Sequence, residues 1–276
     1  MVVALKVLLA PLLVAGCTYV VQRWGTTTGG WLLGLPLTSG PVSVLLYLEY
    51  GPRFAREAAR GSLLGLVAVA AFCSAYVFLA TRQPWWRTLL AAYIACVATA
   101  LALAELHPGF AATIVLVLCL LGMLAWRLAS AAKGDMARSS ATRGLVVRMV
   151  IAAGVVFAVT TSAEALGPSA AGMLAPLPVV AVIMAVSSHA TGRSEAARDL
   201  LKGVLVGSWG GAAFFVVLGA MLVPGQALGT YAAAIAAAVG AALLAPRIAA
   251  LLPALRPVEG PLHRVVFVPV RGHAAR

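Results

Sequence analysis

Residues 203–246 carry no Asp, Glu, Lys or Arg and are rich in Gly, Ala, Val and Leu. In an apolar solvent such as a lipid bilayer, every backbone N–H and C=O must be paired within the chain, and a helix does this. About 20 apolar residues cross the hydrocarbon core. The stretch is too long for one crossing and contains the turn sequence Val223-Pro224-Gly225-Gln226. It therefore predicts two membrane helices.

The composition places the whole chain in the same class. Hydrophobic residues make up 62% of its 276 residues and charged residues only 10%, which is too little polar surface to cover a soluble globule. The net charge of +12 raises nucleic acid as a partner, but the cations stand singly or in small groups between apolar stretches. Membrane lipids, and no nucleic acid, are therefore the expected partners of these charges.

Uncharged windows long enough to cross a bilayer predict an all-α polytopic membrane protein of about nine helices. Eight or ten helices stay open, because one window is short and the tail contains an apolar string. The windows lie at 3–22, 28–49, 61–81, 86–104, 109–128, 145–164, 170–190, 203–223 and 228–250.

The basic residues predict the orientation of this bundle. With the N-terminus outside and the C-terminus in the cytoplasm, most Lys and Arg lie in inner loops, as the positive-inside rule requires. One outer loop, with Arg53, Arg56 and Arg60, breaks the rule. We therefore expect a multi-pass protein of the bacterial cytoplasmic (inner) membrane in this orientation.

The chain also matches itself. Shifting the sequence by 142 positions aligns residues 6–72 with 148–214 without a gap, and glycines, prolines and charged residues coincide. Two four-helix units separated by one linking helix must have opposite orientations, so the duplication predicts two inverted repeats, an arrangement typical of transporters. The predicted parts are a first repeat, the linking helix with a basic loop, a second repeat and a basic cytoplasmic tail, at 1–104, 105–144, 145–252 and 253–276.

The second helix of each repeat carries proline in mid-membrane, within Gly34–Pro41 and Ala175–Pro178. Proline removes a helical hydrogen bond, and paired interruptions in two repeats indicate a midplane binding site. The alternative is a kinked helix whose freed carbonyls are satisfied by Thr38, Ser39 or a neighbouring helix. The expected pathway residues are Pro36, Thr38, Ser39, Pro41, Pro176, Pro178, Ser187 and Ser188.

Two charged pairs coincide in the duplication, Arg56-Glu57 with Arg198-Asp199, each on a short amphipathic stretch between predicted helices. A guanidinium offers a forked donor to phosphate or carboxylate, so these residues are predicted to act as interfacial gates. The alternative is that they are anchors at the membrane surface. Small residues four apart, as in Gly61-xxx-Gly65 and its repeat partner Gly203-xxx-Gly207, predict close packing between the third helices of the two repeats.

Catalytic and metal-binding constellations are missing from the sequence. The four cysteines and four histidines lack ligand spacing, and no nucleophile or acid–base set stands out. All eight acids fall at predicted helix ends or in loops, whereas a proton-coupled exporter needs one inside the membrane. No metal, no cofactor and no enzymatic activity are expected. A lipoprotein signal ending at Cys17 is the alternative for the first helix, but that segment aligns with an internal helix.

The second repeat combines an apolar Gly/Pro run, an interfacial Gly-Glu-Ala-Arg-like stretch and an aromatic third helix. The residues are Ala171–Pro178, Gly192, Glu195-Ala196, Arg198, Gly203 and Phe214-Phe215. In these features, segment 171–218 resembles the GlpM family of small four-helix bacterial inner-membrane proteins. The first repeat shares Gly34-Leu35-Pro36 and Arg56 but departs from the pattern at Thr38–Pro41. The resemblance implies a fused pair of four-helix units and, because the family's activity is poorly defined, no particular chemistry.

The function predicted from these features is a small permease-like or lipid-handling transporter with its pathway between the two Pro-interrupted helices. Its substrate is an unknown small molecule or lipid. The alternative is a non-transporting scaffold or accessory subunit for an envelope-biosynthesis complex, docked through the tail from Arg256 to Arg276. A homodimer is compatible with either function.

Overall fold

The computed structural model describes residues 26–37, 39–128 and 163–251, together with Tyr19 and Gly154. All regular structure in these ranges is helical, so the all-α prediction is confirmed for the described residues. The helices are α1 (Thr26–Leu33), α2 (Ser39–Leu79), α3 (Trp85–Leu106), α4 (Phe110–Leu128), α5 (Ala163–Leu174), α6 (Val179–Ala190), α7 (Ser194–Met221) and α8 (Ala227–Leu251).

Five segments of the described residues are long and apolar enough to cross a bilayer, and α4 contributes a shorter apolar helix. The coarser prediction of a multi-pass helical membrane protein agrees with these segments. The count of nine is not confirmed, because the predicted helices 3–22 and 145–164 lie largely outside the described residues. The five segments are Ser39–Leu79, Trp85–Leu106, Gly167–Ala190, Ser194–Met221 and Ala227–Ala245.

Helices α2 and α7 form the centre of the bundle. In their most apolar windows 72% and 61% of residues are buried, against 17% for α3 and 22% for α8. The two central helices run antiparallel, because Arg56 of α2 contacts Gly219 at the end of α7, while Arg198 of α7 contacts Val77 at the end of α2. Helices α3 and α8 lie at the rim, α3 against α2 and α8 against α7.

Glycines bring the short helices α1 and α5 against this centre. A Cβ added to Gly30 of α1 would overlap the Leu200 carbonyl oxygen of α7, and one added to Gly172 of α5 would overlap the Ala58 carbonyl oxygen of α2. Helix α1 therefore packs on α7 from the other half of the chain, and α5 packs on α2 in return. Such close backbone approach needs residues without a side chain. Gly61 and Gly65 pack closely, as predicted, but their partner is α5 and not the third helix of the other repeat.

Two helices contain a sharp Gly-Pro kink. Gly51 in α2 has φ 83° and Gly167 in α5 has φ 77°, a left-handed conformation that glycine adopts with little strain. The prolines that follow, Pro52 and Pro168, restart the helix at a position where the missing N–H is not needed. Helix α2 thus has a second part, residues 52–79, after the kink at Gly51.

Two sets of predicted boundaries were wrong. The predicted helix 28–49 is divided at its proline segment into α1 and the start of α2, and 170–190 is divided in the same way into α5 and α6. The basic stretches around Arg56 and Arg198 were predicted to lie between helices, but they are the first turns of long helices, the second part of α2 and α7. Charged residues can continue these helices because their side chains find acceptors at the ends of the bundle.

Candidate functional site

Two proline-containing connections, from α1 to α2 and from α5 to α6, meet at one small cavity. We call these connections the helix breaks and the cavity the central cavity. The connection between α1 and α2 lines it through Pro36, and the connection between α5 and α6 lines it through Pro176 and Pro178. Its volume of about 20 Å³ is room for one water molecule or one small ion. Ser39 and Ser208 are the polar side chains in its lining, and the other lining residues are apolar or glycine.

One carbonyl freed by a proline finds replacement donors. Pro176 has no N–H for the carbonyl of Gly172. That carbonyl instead accepts from the Ala175 N–H at 3.2 Å and from the Ser62 hydroxyl of α2 at 3.0 Å. A neighbouring helix therefore satisfies this group, as the kinked-helix alternative expects.

Leu33 and Ala175 are among the residues at the breaks whose carbonyls keep no helical donor within the described part of the chain. The donor for Leu33 would come from Pro36, which has no N–H, or from Leu37. The Leu37 N–H instead bonds to the Leu35 carbonyl at 2.7 Å. The carbonyl of Ala175, just after α5, is in the same situation. Pro178 has no N–H, and the Val179 N–H bonds to the Leu177 carbonyl at 2.9 Å. Of these two residues, Leu33 lines the central cavity and Ala175 does not.

A buried hydroxyl borders the same cavity. Ser39 begins α2, is 4% exposed, and makes no hydrogen bond within the described part of the chain. Ser208 of α7 is 2% exposed and donates to the Val204 carbonyl at 2.8 Å. Leaving a buried hydroxyl without a partner costs about 1–3 kcal/mol. An occupant that pairs with Ser39 would recover that free energy.

A larger cavity, the lateral groove, opens beside the first break. It has a volume of about 450 Å³ and lies between the start of α2, the unwound residues 35–37, and helices α7 and α8. Its rim residues Ile235 and Val239 are 57% and 49% exposed, so it opens on the surface that faces lipid in a membrane. The hydroxyl of Tyr231 donates to the Ser43 carbonyl at 2.9 Å. The rest of the lining is apolar and has no side chain that binds a hydrophilic solute.

The two predicted gate arginines bind opposite ends of the central helix pair. Arg56 donates from Nε to the Gly219 carbonyl and from Nη2 to the Ala220 carbonyl, both at 3.1 Å. Arg198 donates from Nε to the Val77 carbonyl at 3.1 Å. These carbonyls lie in the last turns of α7 and α2, where unpaired C=O groups and the helix dipole favour a cation. The contacts suit the anchor interpretation, and the gate role stays a prediction.

The acidic residues of the two pairs bond along their own helices. Glu57 accepts from Arg60 at 2.8 Å, and Asp199 accepts from Lys202 at 3.3 Å. Lys202 is buried, with 6% exposure, whereas the Glu57 side chain is 51% exposed. Breaking a buried ion pair costs more than breaking a surface pair. The two ends of the bundle therefore differ in how firmly their charges are held.

The predicted pathway residues do not all come together. Ser187 and Ser188 lie near the C-terminal end of α6, and the Ser187 hydroxyl donates back to the Ile183 carbonyl at 2.7 Å. They are about 15 Å along the helix from the break, at 1.5 Å per residue. Thr38 lies outside the described residues. The predicted residues that line the central cavity or the lateral groove are Pro36, Ser39, Pro41, Pro176 and Pro178.

Ser208 and Tyr231 line the two cavities but were not predicted from the sequence. Ser208 follows Gly207, whose added Cβ would overlap the Trp31 carbonyl of α1. The glycine spacing predicts close packing, and a hydroxyl beside it was a signal that the same contact places a polar group at the break. Tyr231 lies in an apolar window where nothing separates a groove-lining aromatic residue from a lipid-facing one.

No protein family, curated protein or solved structure matches this chain. The resemblance to the GlpM family therefore stays a prediction, and the chemistry of the two cavities is the basis for assigning a function.

Proposed function

We propose that this protein is a small membrane transporter that moves a lipid or lipid-like molecule past its two interrupted helices. The lateral groove carries the proposal, since it is apolar, has a volume of about 450 Å³ and contains the unwound residues 35–37 in its wall. Cavities of this size hold small molecules. An apolar lining favours an acyl chain over a hydrophilic solute, so lipid handling is favoured over a permease for polar compounds.

We further propose that the bundle consists of two inverted copies of a four-helix unit, with nine helices in the whole chain. The helix bounds support this, because residues 52–79 of α2 and 194–221 of α7 differ by 142 at both ends. The reciprocal contacts of Arg56 and Arg198, which are also 142 positions apart, support it as well. Equivalent helices that run antiparallel are expected from a two-fold axis in the membrane plane.

The location belongs to the same proposal. A bacterial cytoplasmic membrane, with the N-terminus outside, rests on the distribution of Lys and Arg. The scaffold alternative depends on the tail from Arg256 to Arg276, which lies outside the described residues. The lateral groove, a feature that a scaffold does not need, favours transport.

Lipid movement can be measured in vesicles that contain the purified protein and a phospholipid with a fluorescent acyl chain. A membrane-impermeant quencher reports how fast labelled lipid reaches the outer leaflet. A Cβ added to Gly40 would lie 3.6 Å from the Phe214 ring, an ordinary contact. Gly40→Leu therefore fits the backbone and fills the groove with its remaining atoms. We expect this variant to slow lipid movement about tenfold, which corresponds to 1.4 kcal/mol in the barrier.

The matched control is Gly240→Leu on α8, where an added Cβ meets nothing within 4 Å. This variant should keep the wild-type rate. A wild-type rate equal to that of protein-free vesicles would reject lipid transport. Equal slowing by the two leucine variants would reject the groove as the path.

A further inference from the structure

The central cavity is part of the proposed transport site, but its occupant can be studied without transport. Its volume of about 20 Å³ fits one water molecule or one small ion. Ser39, 4% exposed, borders it and has no hydrogen-bond partner in the described ranges. A hydroxyl in this position needs an occupant to pair with it.

The groups around the cavity favour a positive occupant. Helices α1 and α5 both end at the breaks, so the negative ends of two helix dipoles converge there. Leu33 lines the cavity, and its carbonyl keeps no helical donor within the described residues. Unwound carbonyls and half-helix C-termini of this kind coordinate cations inside membranes.

An anion finds few donors at the same place. The first turns of α2 and α6 also point their N-terminal ends at the breaks. In α2 the Gly40 N–H bonds to the Pro36 carbonyl at 2.7 Å and Pro41 has no N–H, and in α6 the Val179 N–H bonds to the Leu177 carbonyl at 2.9 Å. A divalent cation usually takes carboxylate ligands, and no Asp or Glu lines the cavity. We propose that the central cavity binds one monovalent cation of about the size of Na⁺, held by the Ser39 hydroxyl and the carbonyl of Leu33 at the first break.

Cation binding can be tested on the full chain in detergent. NaCl replaces choline chloride at constant ionic strength while the thermal midpoint is followed, since an ion that binds the folded state alone stabilises it by RT ln(1 + [Na⁺]/Kd). Binding of radioactive sodium to the same preparation gives a direct second readout. Wild-type protein should show both effects. No response of either readout to Na⁺ would mean that the cavity holds water only and would overturn the proposal.

Two variants place the ion in this cavity. Ser39→Ala removes one ligand and should weaken apparent Na⁺ affinity about tenfold. Gly211→Ala puts a methyl group 3.5 Å from the Gly34 carbonyl oxygen, an ordinary contact that keeps the fold but takes up the space. It should abolish Na⁺ binding. The control Ser74→Ala removes a hydroxyl that bonds only within its own helix and should bind Na⁺ as the wild type does.

The variants also separate this inference from the transport proposal. Gly40→Leu fills the lateral groove and not the central cavity, so it should slow lipid movement and keep the Na⁺ response. Wild-type Na⁺ binding by Gly211→Ala would overturn the cation site. A failure of lipid movement in every sample, with Na⁺ binding intact, would reject transport alone.

Discussion

At the scale of single residues, Arg56 and Arg198 test whether the ends of the central helices are fixed. Arg56→Ala and Arg198→Ala each remove hydrogen bonds to last-turn carbonyls. We expect each to lower the free energy of unfolding by about 1 kcal/mol, measured as a lower thermal midpoint in detergent. Arg53→Ala, at an exposed position of the same stretch, should leave the midpoint unchanged. Loss of lipid movement at unchanged midpoint and protein level would instead support the gate role.

At the scale of helices, a proline explains how α8 is joined to α1. Pro246 lies in α8 and has no N–H for the carbonyl of Ala242. The indole N–H of Trp31 donates to that carbonyl at 3.1 Å. A tryptophan from the first half of the chain therefore replaces the missing helical bond in the last described helix.

This explanation predicts a thermodynamic coupling between the two residues. Trp31→Phe should lower the free energy of unfolding by about 1–2 kcal/mol, because it leaves a buried carbonyl unpaired. In a Pro246→Ala background the Ala242 carbonyl regains its helical donor, so the same substitution should cost clearly less. A double-mutant cycle measures the difference. Equal costs in both backgrounds would show that the bond adds nothing beyond packing.

The helices were predictable from the sequence only where apolar windows and helices coincide. Helices α3 and α4 lie within a few residues of their predicted windows. The start of the second part of α2 was not predicted, because an uncharged window ends at the first charged residue. In the structure the helix includes Arg56 and Arg60, whose side chains donate to the Gly219 carbonyl. The prolines did predict where helices are interrupted. They could not predict that the two breaks share a cavity, since that depends on glycine contacts between distant helices.

At the scale of the whole molecule, the antiparallel central helices predict opposite sidedness for their first residues. Single cysteines replace exposed Arg53 and Arg193 in a chain without its native cysteines, and intact cells are labelled with a membrane-impermeant thiol reagent. With the N-terminus outside, Arg53→Cys should be labelled and Arg193→Cys should not. Labelling of both or of neither would contradict the inverted arrangement, and labelling of Arg193→Cys alone would reverse the orientation.

Each short helix packs on the central helix of the other half of the chain, and this determines the order of folding steps. The partner of Gly30 is the backbone of Leu200, which is synthesised about 170 residues later. At about 5–20 residues per second, ribosomes need on the order of ten seconds or more to cover that distance. During this interval α1 lacks the helices it packs on among the described residues, and a nascent chain that stops after α4 cannot complete the centre of the bundle. Helix α1 therefore acquires its packing on α7 only when α7 has entered the membrane.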